Sequence, residues 1–132
     1  KFDITVPYLT DWKDIWSNRL EDYMTDIETF KINDDNFLIE IGEEVIDTDP
    51  DGQFMGLAYF KRGALKILED LIIKALNDNS TDLNSIEFTT ALNHLLKNKM
   101  KVKAFPYKGI FNELDFPKDL KVPRYEPSDF IN

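Results

Sequence analysis

Two carboxylates near the end of the chain have a spacing that would suit a metal site. Glu113 and Asp115 follow an apolar stretch, and Pro117 begins a turn directly after them. If the stretch is extended, alternate side chains share a face, so both carboxylates point to the same side of a sheet edge. Hard cations such as Mg²⁺ take oxygen ligands, usually one or two carboxylates together with substrate phosphates. The other interpretation is that Asp115 caps a short helix beginning at Pro117, with Glu113 in solvent.

Further candidate residues lie in the first quarter of the chain. Trp12 and Trp16 have i, i+4 spacing on a predicted helix, where an aromatic pair either joins the core or forms a cation–π wall. Asp26 and Glu28 share one face if extended, and there they receive an ammonium group or lie at a solvated strand edge. Arg19 either grips a phosphate through both guanidinium nitrogens or pairs with acidic neighbours at the surface.

Composition limits the classes of function. The chain has 132 residues, 42% of them hydrophobic, which favours one globular domain, predicted at 1–125, followed by a polar tail at 126–132. The net charge of −9 disfavours a nucleic-acid partner. The absence of cysteine excludes a thiolate nucleophile. No apolar run reaches the length of about 20 residues that a membrane span needs, so no membrane role is expected.

Strands alternate with helices in the predicted order of elements, which indicates an α/β fold with a layered mixed sheet and flanking helices. Strands are expected at 2–8, 29–32, 37–41, 53–60 and 101–107, and helices from Trp12, at 61–77, at 89–97 and from Pro117. Gly56 inside an apolar strand indicates a bulge or the close approach of a ligand. The second helix is expected to bury a wide stripe comprising Leu65, Leu68, Leu71, Ile72, Ala75 and Leu76.

Several short motifs occur together in a fixed order. They are W-x-x-x-W-x-x-R at 12–19, D-x-E-T-F at 26–30, a strand-closing Gly42, G-Q-F-M-G-L at 52–57 and E-L-D-x-P-x-D-L at 113–120. Together they resemble the C-terminal half of the sugar-phosphate-type nucleotidyltransferases, and most of all the branch that transfers CMP to phosphocholine or aminoethylphosphonate. The resemblance covers about residues 2–122. Phe111 and Phe116 depart from the family pattern, which often has Trp and a small polar residue there.

The resemblance implies a fold and a reaction. The fold would be the C-terminal half of a nucleotide-diphospho-sugar-transferase-like, Rossmann-like domain. The reaction would transfer a nucleotidyl group, from CTP or another nucleoside triphosphate, to a small phosphorylated or phosphonylated amine, with release of pyrophosphate. Asp115 would be the catalytic residue and a Mg²⁺ ligand. The acceptor would be bound in a cleft by Trp12, Trp16, Arg19, Asp26, Glu28, Met55, Gly56 and Glu113.

The resemblance also implies that this chain works with a further part. No glycine-rich nucleotide loop occurs in it, so we expect the nucleotide-binding half to lie elsewhere and the chain alone to be inactive. The enzyme would be cytoplasmic. Two alternatives stay open, namely a nucleotidyltransferase with a sugar 1-phosphate acceptor and a non-catalytic interaction or regulatory module. An open half-sheet would expose an edge that favours a homo-oligomer or a partner chain.

Overall fold

The computed structural model describes residues 2–19, 24, 27–77, 87–111, 113–115, 117 and 119. Both strands and helices occur along them, so the predicted mixed α/β architecture is confirmed. The elements are β1 (Ile4–Leu9), α1 (Trp12–Arg19), β2 (Glu28–Ile32), β3 (Leu38–Glu44), β4 (Gln53–Phe54), β5 (Tyr59–Phe60), α2 (Arg62–Asn77), α3 (Phe88–Lys97) and β6 (Val102–Tyr107). The predicted tail at 126–132 lies outside the described residues.

Strand β1 is the centre of a four-stranded mixed sheet within the described residues. Along one edge it pairs in parallel with β6, from Ile4 opposite Val102 to Leu9 opposite Tyr107. Along the other edge it pairs antiparallel with β4 and β5. Because side chains alternate along a strand, Ile4 and Val6 enter the main core on one face, and Leu9 enters a second cluster. One strand therefore connects two separate apolar clusters.

The apolar run at 53–60 is not one continuous strand. On β1, Tyr8 lies opposite Phe54 and Thr5 lies opposite Tyr59. The segment that joins β4 to β5 is therefore longer than the part of β1 that it faces, and its extra residues form a bulge. Gly56 lies in this bulge at φ +68°, in the left-handed region that glycine adopts without steric penalty. The bulge that Gly56 predicted is confirmed, and the single strand predicted at 53–60 is wrong in its continuity.

The predicted hairpin is present as β2 and β3, which form a second, two-stranded sheet. Its turn is held by Asn33, whose Oδ1 accepts the backbone N–H groups of Asp35 at 3.1 Å and Phe37 at 2.9 Å. Phe30 of the hairpin is buried and stacks on Tyr8 of β1, with ring centroids 5.0 Å apart. This contact fixes the hairpin against the face of the larger sheet.

The two long helices bury their apolar residues to different extents. In α3, Leu92 and Leu95 are fully buried. In α2, Ala64 is buried but Leu65 is 53% exposed, so the placement of Leu65 in the inward stripe is wrong. The helix is apolar on several sides, and periodicity alone does not decide which side meets the sheet. Within the part of the chain described, neither helix is long and apolar enough to span a bilayer.

The buried phenol of Tyr8 should make the folded state less stable at alkaline pH. Burial raises the pKa of Tyr8 above its ordinary value of 10.0, and the nearby Asp51 carboxylate raises it further. The folded state therefore holds this proton more tightly than the unfolded chain, so the unfolding free energy falls as pH rises above about 10. We expect Tyr8→Phe to flatten that fall in chemical denaturation curves measured between pH 9 and 11. An equally steep fall in the variant would contradict this assignment.

Candidate functional site

A cleft of about 710 Å³ opens between the β2–β3 hairpin, the β4 strand and the start of α3. Its wall combines three kinds of side chain. Carboxylates come from Glu28, Glu87, Glu113 and Asp115, aromatic rings from Trp16, Phe54 and Phe88, and uncharged polar groups from Thr29, Gln53 and Thr89. Concave sites with apolar walls and a few convergent polar groups are typical of small-molecule binding. This cleft is therefore the candidate functional site.

Most of the site residues proposed from sequence meet at this cleft. Those on its wall are Trp16, Glu28, Gly56, Glu113 and Asp115, which come from four separate stretches of the chain. Two others lie elsewhere, because Trp12 and Met55 belong to the second apolar cluster without lining the cleft. Asp26 and the side chain of Arg19 lie outside the described residues.

The tryptophan pair packs as part of the core. Trp12 is 2% exposed and Trp16 is 3% exposed, and both contact the cluster that contains Leu9 and Ile27. The i, i+4 spacing puts both rings on the inward side of α1. The packing alternative for the pair is thus observed, and only Trp16 also reaches the cleft wall, where a ring edge or face can meet a ligand.

Glu28 joins the three elements that surround the cleft. It begins β2, and its Oε1 accepts the hydroxyl of Thr89 at the start of α3 at 3.5 Å. Its backbone carbonyl accepts the Nε2–H of Gln53 on β4 at 3.1 Å. A carboxylate held by neighbours in this way keeps one orientation, which is what recognition of a cationic group needs. Glu28 is therefore a half-buried, oriented group rather than a solvated strand edge.

A close approach between β3 and α3 sets the shape of the same wall. Gly42 has φ +75°, and a Cβ atom there would lie 2.7 Å from the Cβ of Thr89. Thr29 Oγ1 accepts the backbone N–H of Glu43 at 3.1 Å, and the Asn93 side-chain amide donates to the Glu43 carboxylate. The glycine lets α3 start directly against the hairpin, and the buried polar contacts hold it there.

Both carboxylates of the Glu113 and Asp115 corner line the cleft. Asp115 is exposed and Glu113 is half-buried. The backbone N–H of Asp115 donates to Oδ2 of Asp119 at 2.9 Å, and Asp119 is almost completely buried. The backbone at this corner is therefore held by a buried carboxylate, while Asp115 itself stands at the cleft wall.

The donor set at this corner fits a magnesium ion in part. Carboxylate oxygens are the ligands that Mg²⁺ prefers, and its sites in phosphate-transfer enzymes use one or two carboxylates with substrate phosphates and water. Within the described ranges, no group of three or more His, Cys, Asp or Glu side chains is arranged to hold a metal by itself. The corner thus suits a site that substrate phosphates complete.

Sequence reasoning missed several residues of the wall. Gln53 is 7% exposed and Thr89 is 9% exposed, yet both line the cleft. Glu87 and Phe88 begin α3, and the first turn of a helix carries backbone N–H groups without intrahelical partners. The available signal for Gln53 was a polar residue in an otherwise apolar strand. Thr89 gave no signal, because its position depends on how α3 docks on the hairpin.

Comparison with known proteins gives one distant relative that bears on function. The chain is 28% identical over 127 residues to a CTP:phosphoglutamine cytidylyltransferase of Campylobacter jejuni. The alignment covers 92% of this chain and 49% of that protein, so the chain spans about half the length of the curated relative it matches. No protein-family model matches the chain.

This distant homology confirms the expected relationship to cytidylyltransferases in its coarser form. The mixed sheet with its helices is compatible with a nucleotidyltransferase-like fold. The Rossmann-like half-fold and the phosphocholine or aminoethylphosphonate branch stay predictions. The relationship supports a nucleotidyltransferase-type function for the protein to which this chain belongs.

Proposed function

We propose that the protein containing this chain transfers CMP from CTP to a small phosphorylated or phosphonylated amine. An acceptor phosphate oxygen attacks the α-phosphorus of CTP, and the bond to pyrophosphate breaks. The observation that carries the proposal is the convergence of Glu28 with the Glu113 and Asp115 corner at one cleft. The distant homology to a cytidylyltransferase supports it independently.

The proposed part of this chain is to bind and orient the acceptor. Among the described residues, the cleft wall holds four carboxylates and neither lysine nor arginine. A wall of this charge attracts the cationic end of an acceptor. Its phosphate would approach the Glu113 and Asp115 corner only with a Mg²⁺ ion there to offset the charge of the carboxylates. Glu28 receives the ammonium group, and the aromatic rings of Trp16, Phe54 and Phe88 enclose the carbon chain. We propose that Arg19 and Asp26 also contact the acceptor.

The reaction end of the site is assigned to Asp115. We propose that Asp115 holds Mg²⁺ together with phosphate oxygens of the substrates, with Glu113 beside the acceptor. The ion, when bound, neutralises phosphate charge during the transfer. Because no glycine-rich nucleotide loop occurs in this chain, we propose that residues outside it hold the triphosphate. Transfer of this kind depends mainly on positioning and charge neutralisation, which suits a site shared between two halves.

A second candidate acceptor is a sugar 1-phosphate. The hydroxyl and amide groups of Thr29, Thr89 and Gln53 on the cleft wall are suited to sugar hydroxyls, and Phe88 offers an exposed ring for stacking. The carboxylates favour the amine, because an acidic wall attracts a cationic group more strongly than a neutral sugar. Acceptor competition separates the two candidates.

The test uses the full-length gene product that contains this chain. Isothermal titration with CTP should show binding that requires Mg²⁺ and disappears in EDTA. Pyrophosphate release should then follow the addition of phosphoethanolamine, phosphocholine, aminoethylphosphonate or phosphoglutamine, and should be slower with glucose 1-phosphate. Absence of CTP binding with and without Mg²⁺ would overturn the proposal. Preference for glucose 1-phosphate would favour the sugar acceptor.

A further inference from the structure

Gln53 is a buried amide on the wall of the cleft whose two polar atoms have different environments. It is 7% exposed and lies in β4 opposite Leu9 of the central strand. Its Nε2 donates to the backbone carbonyl of Glu28 at 3.1 Å. Because a carbonyl accepts and never donates, this bond assigns the nitrogen to the Glu28 side and fixes the orientation of the amide.

The fixed orientation leaves the oxygen of the same amide as an acceptor. Within the described part of the chain, Oε1 of Gln53 makes no hydrogen bond. It is not among the polar side-chain atoms that are both fully buried and without a hydrogen bond. Gln53 is one of the residues that line the cleft. Polar atoms of deeply buried side chains are nearly always paired, and a ligand donor is the partner that the cleft can supply.

The Glu28 carboxylate is a second acceptor on the same cleft wall. The Gln53 amide donates to the backbone carbonyl of Glu28, and the Thr89 hydroxyl donates to the Glu28 carboxylate. A primary ammonium or carboxamide can donate N–H groups to both oxygens. A trimethylammonium has the same kind of charge but no N–H group, so it would leave the Gln53 oxygen unpaired and desolvated.

We propose that Gln53 is a specificity-determining residue that selects acceptors carrying an N–H group at the end opposite the phosphate. The inference rests on the proposed function and deepens it. It assigns the substrate class as a primary amine or amide phosphate, in preference to a quaternary ammonium. The amide of Gln53 contacts the substrate in this assignment, and Glu28 supplies the charge.

The experiment measures kcat/KM of the full-length enzyme with CTP and three acceptors. Phosphoethanolamine and phosphoglutamine carry N–H groups, and phosphocholine does not. The wild type should prefer the better N–H acceptor over phosphocholine by about tenfold or more, since an unpaired buried group reduces binding by roughly that factor. Methionine is similar in size to glutamine and has neither of its amide polar atoms. In Gln53→Met, kcat/KM for the better N–H acceptor and for phosphocholine should therefore differ by no more than about threefold.

The control is Val102→Ala, a substitution that also weakens the buried interior. Val102 is fully buried on β6 and does not line the cleft. This variant should lower the melting temperature and leave the acceptor ratio unchanged. Because the ratio compares two substrates of one protein, partial unfolding of Gln53→Met does not alter it.

The outcomes distinguish this inference from the proposed function. Transfer with no preference in the wild type, or with a preference that Gln53→Met retains, overturns the role of Gln53 and leaves the transferase in place. A loss of preference in Val102→Ala as large as in Gln53→Met would show a structural effect and also overturn it. CTP binding without transfer to any of the three acceptors overturns the proposed acceptor class, and this inference with it.

Discussion

Replacing Asp115 with asparagine should lower the turnover of nucleotidyl transfer by about 100-fold or more. The change keeps the size of the side chain and removes the charge that Mg²⁺ requires, and losing one electrostatic group at a reacting phosphate typically reduces turnover by about 10²–10³. Asp115 is exposed at the cleft wall, so the substitution disturbs little packing. Steady-state pyrophosphate release across a Mg²⁺ titration measures both the loss of turnover and the higher Mg²⁺ concentration needed.

The control for this prediction is Asp70→Asn. Asp70 is an exposed carboxylate on α2, where it pairs with Lys66 at 3.0 Å, and it is not on the cleft wall. Exposed pairs of this kind contribute little to stability, so both turnover and folding should be nearly unchanged. If Asp115→Asn kept wild-type turnover and Mg²⁺ dependence, Asp115 would not be the metal ligand, and the helix-cap interpretation would be favoured.

Gly52→Ala should destabilise the fold by about 3 kcal/mol and lower the melting temperature by about 10 °C. A Cβ atom at this position would lie 2.2 Å from Cδ2 of Tyr8 and 2.9 Å from the carbonyl oxygen of Leu9. Neither neighbour can move freely, because Tyr8 stacks on Phe30 and both neighbours belong to the central strand. Thermal unfolding followed by circular dichroism measures the change.

Gly63→Ala is the matched control for this substitution. Gly63 lies in α2, and a Cβ atom there would meet no heavy atom within 4 Å. Alanine has a higher helix propensity than glycine. This variant should therefore be as stable as the wild type or more stable by up to about 1 kcal/mol. Equal melting temperatures for the two variants would mean that the close contact between Gly52 and Tyr8 does not exist in solution.

The segment around Gly52 also explains how the cleft wall stays in place. Asp51 accepts the backbone N–H of Ile32 through its carboxylate at 2.9 Å and donates its own backbone N–H to the carbonyl of Phe30. This turn therefore ties the hairpin to the start of β4, directly before Gln53. A shift of β4 caused by a larger residue at Gly52 would move Gln53 and Glu28 together, so substrate specificity and stability should change in parallel.

Local patterns were sufficient to predict most elements and part of the site. The hairpin, α3 and the bulge at Gly56 follow from turn chemistry, helical spacing and the conformational freedom of glycine, all of which act within a few residues. The Glu113 and Asp115 corner follows from two carboxylates beside a proline-started turn. The sequence by itself also excluded thiolate chemistry, since the chain has no cysteine.

Tertiary structure decided which of these residues meet. Trp12 and Trp16 have the same spacing signal and both are buried in the second cluster, yet only Trp16 of the two lines the cleft. Leu65 has the helical periodicity of a core residue and is exposed, because docking on the sheet selects one side of an apolar helix. Gln53 and Thr89 became wall residues only through contacts with Glu28, which is distant from both in sequence. Such contacts depend on how separate elements pack, and that information is not contained in the spacing of any single segment.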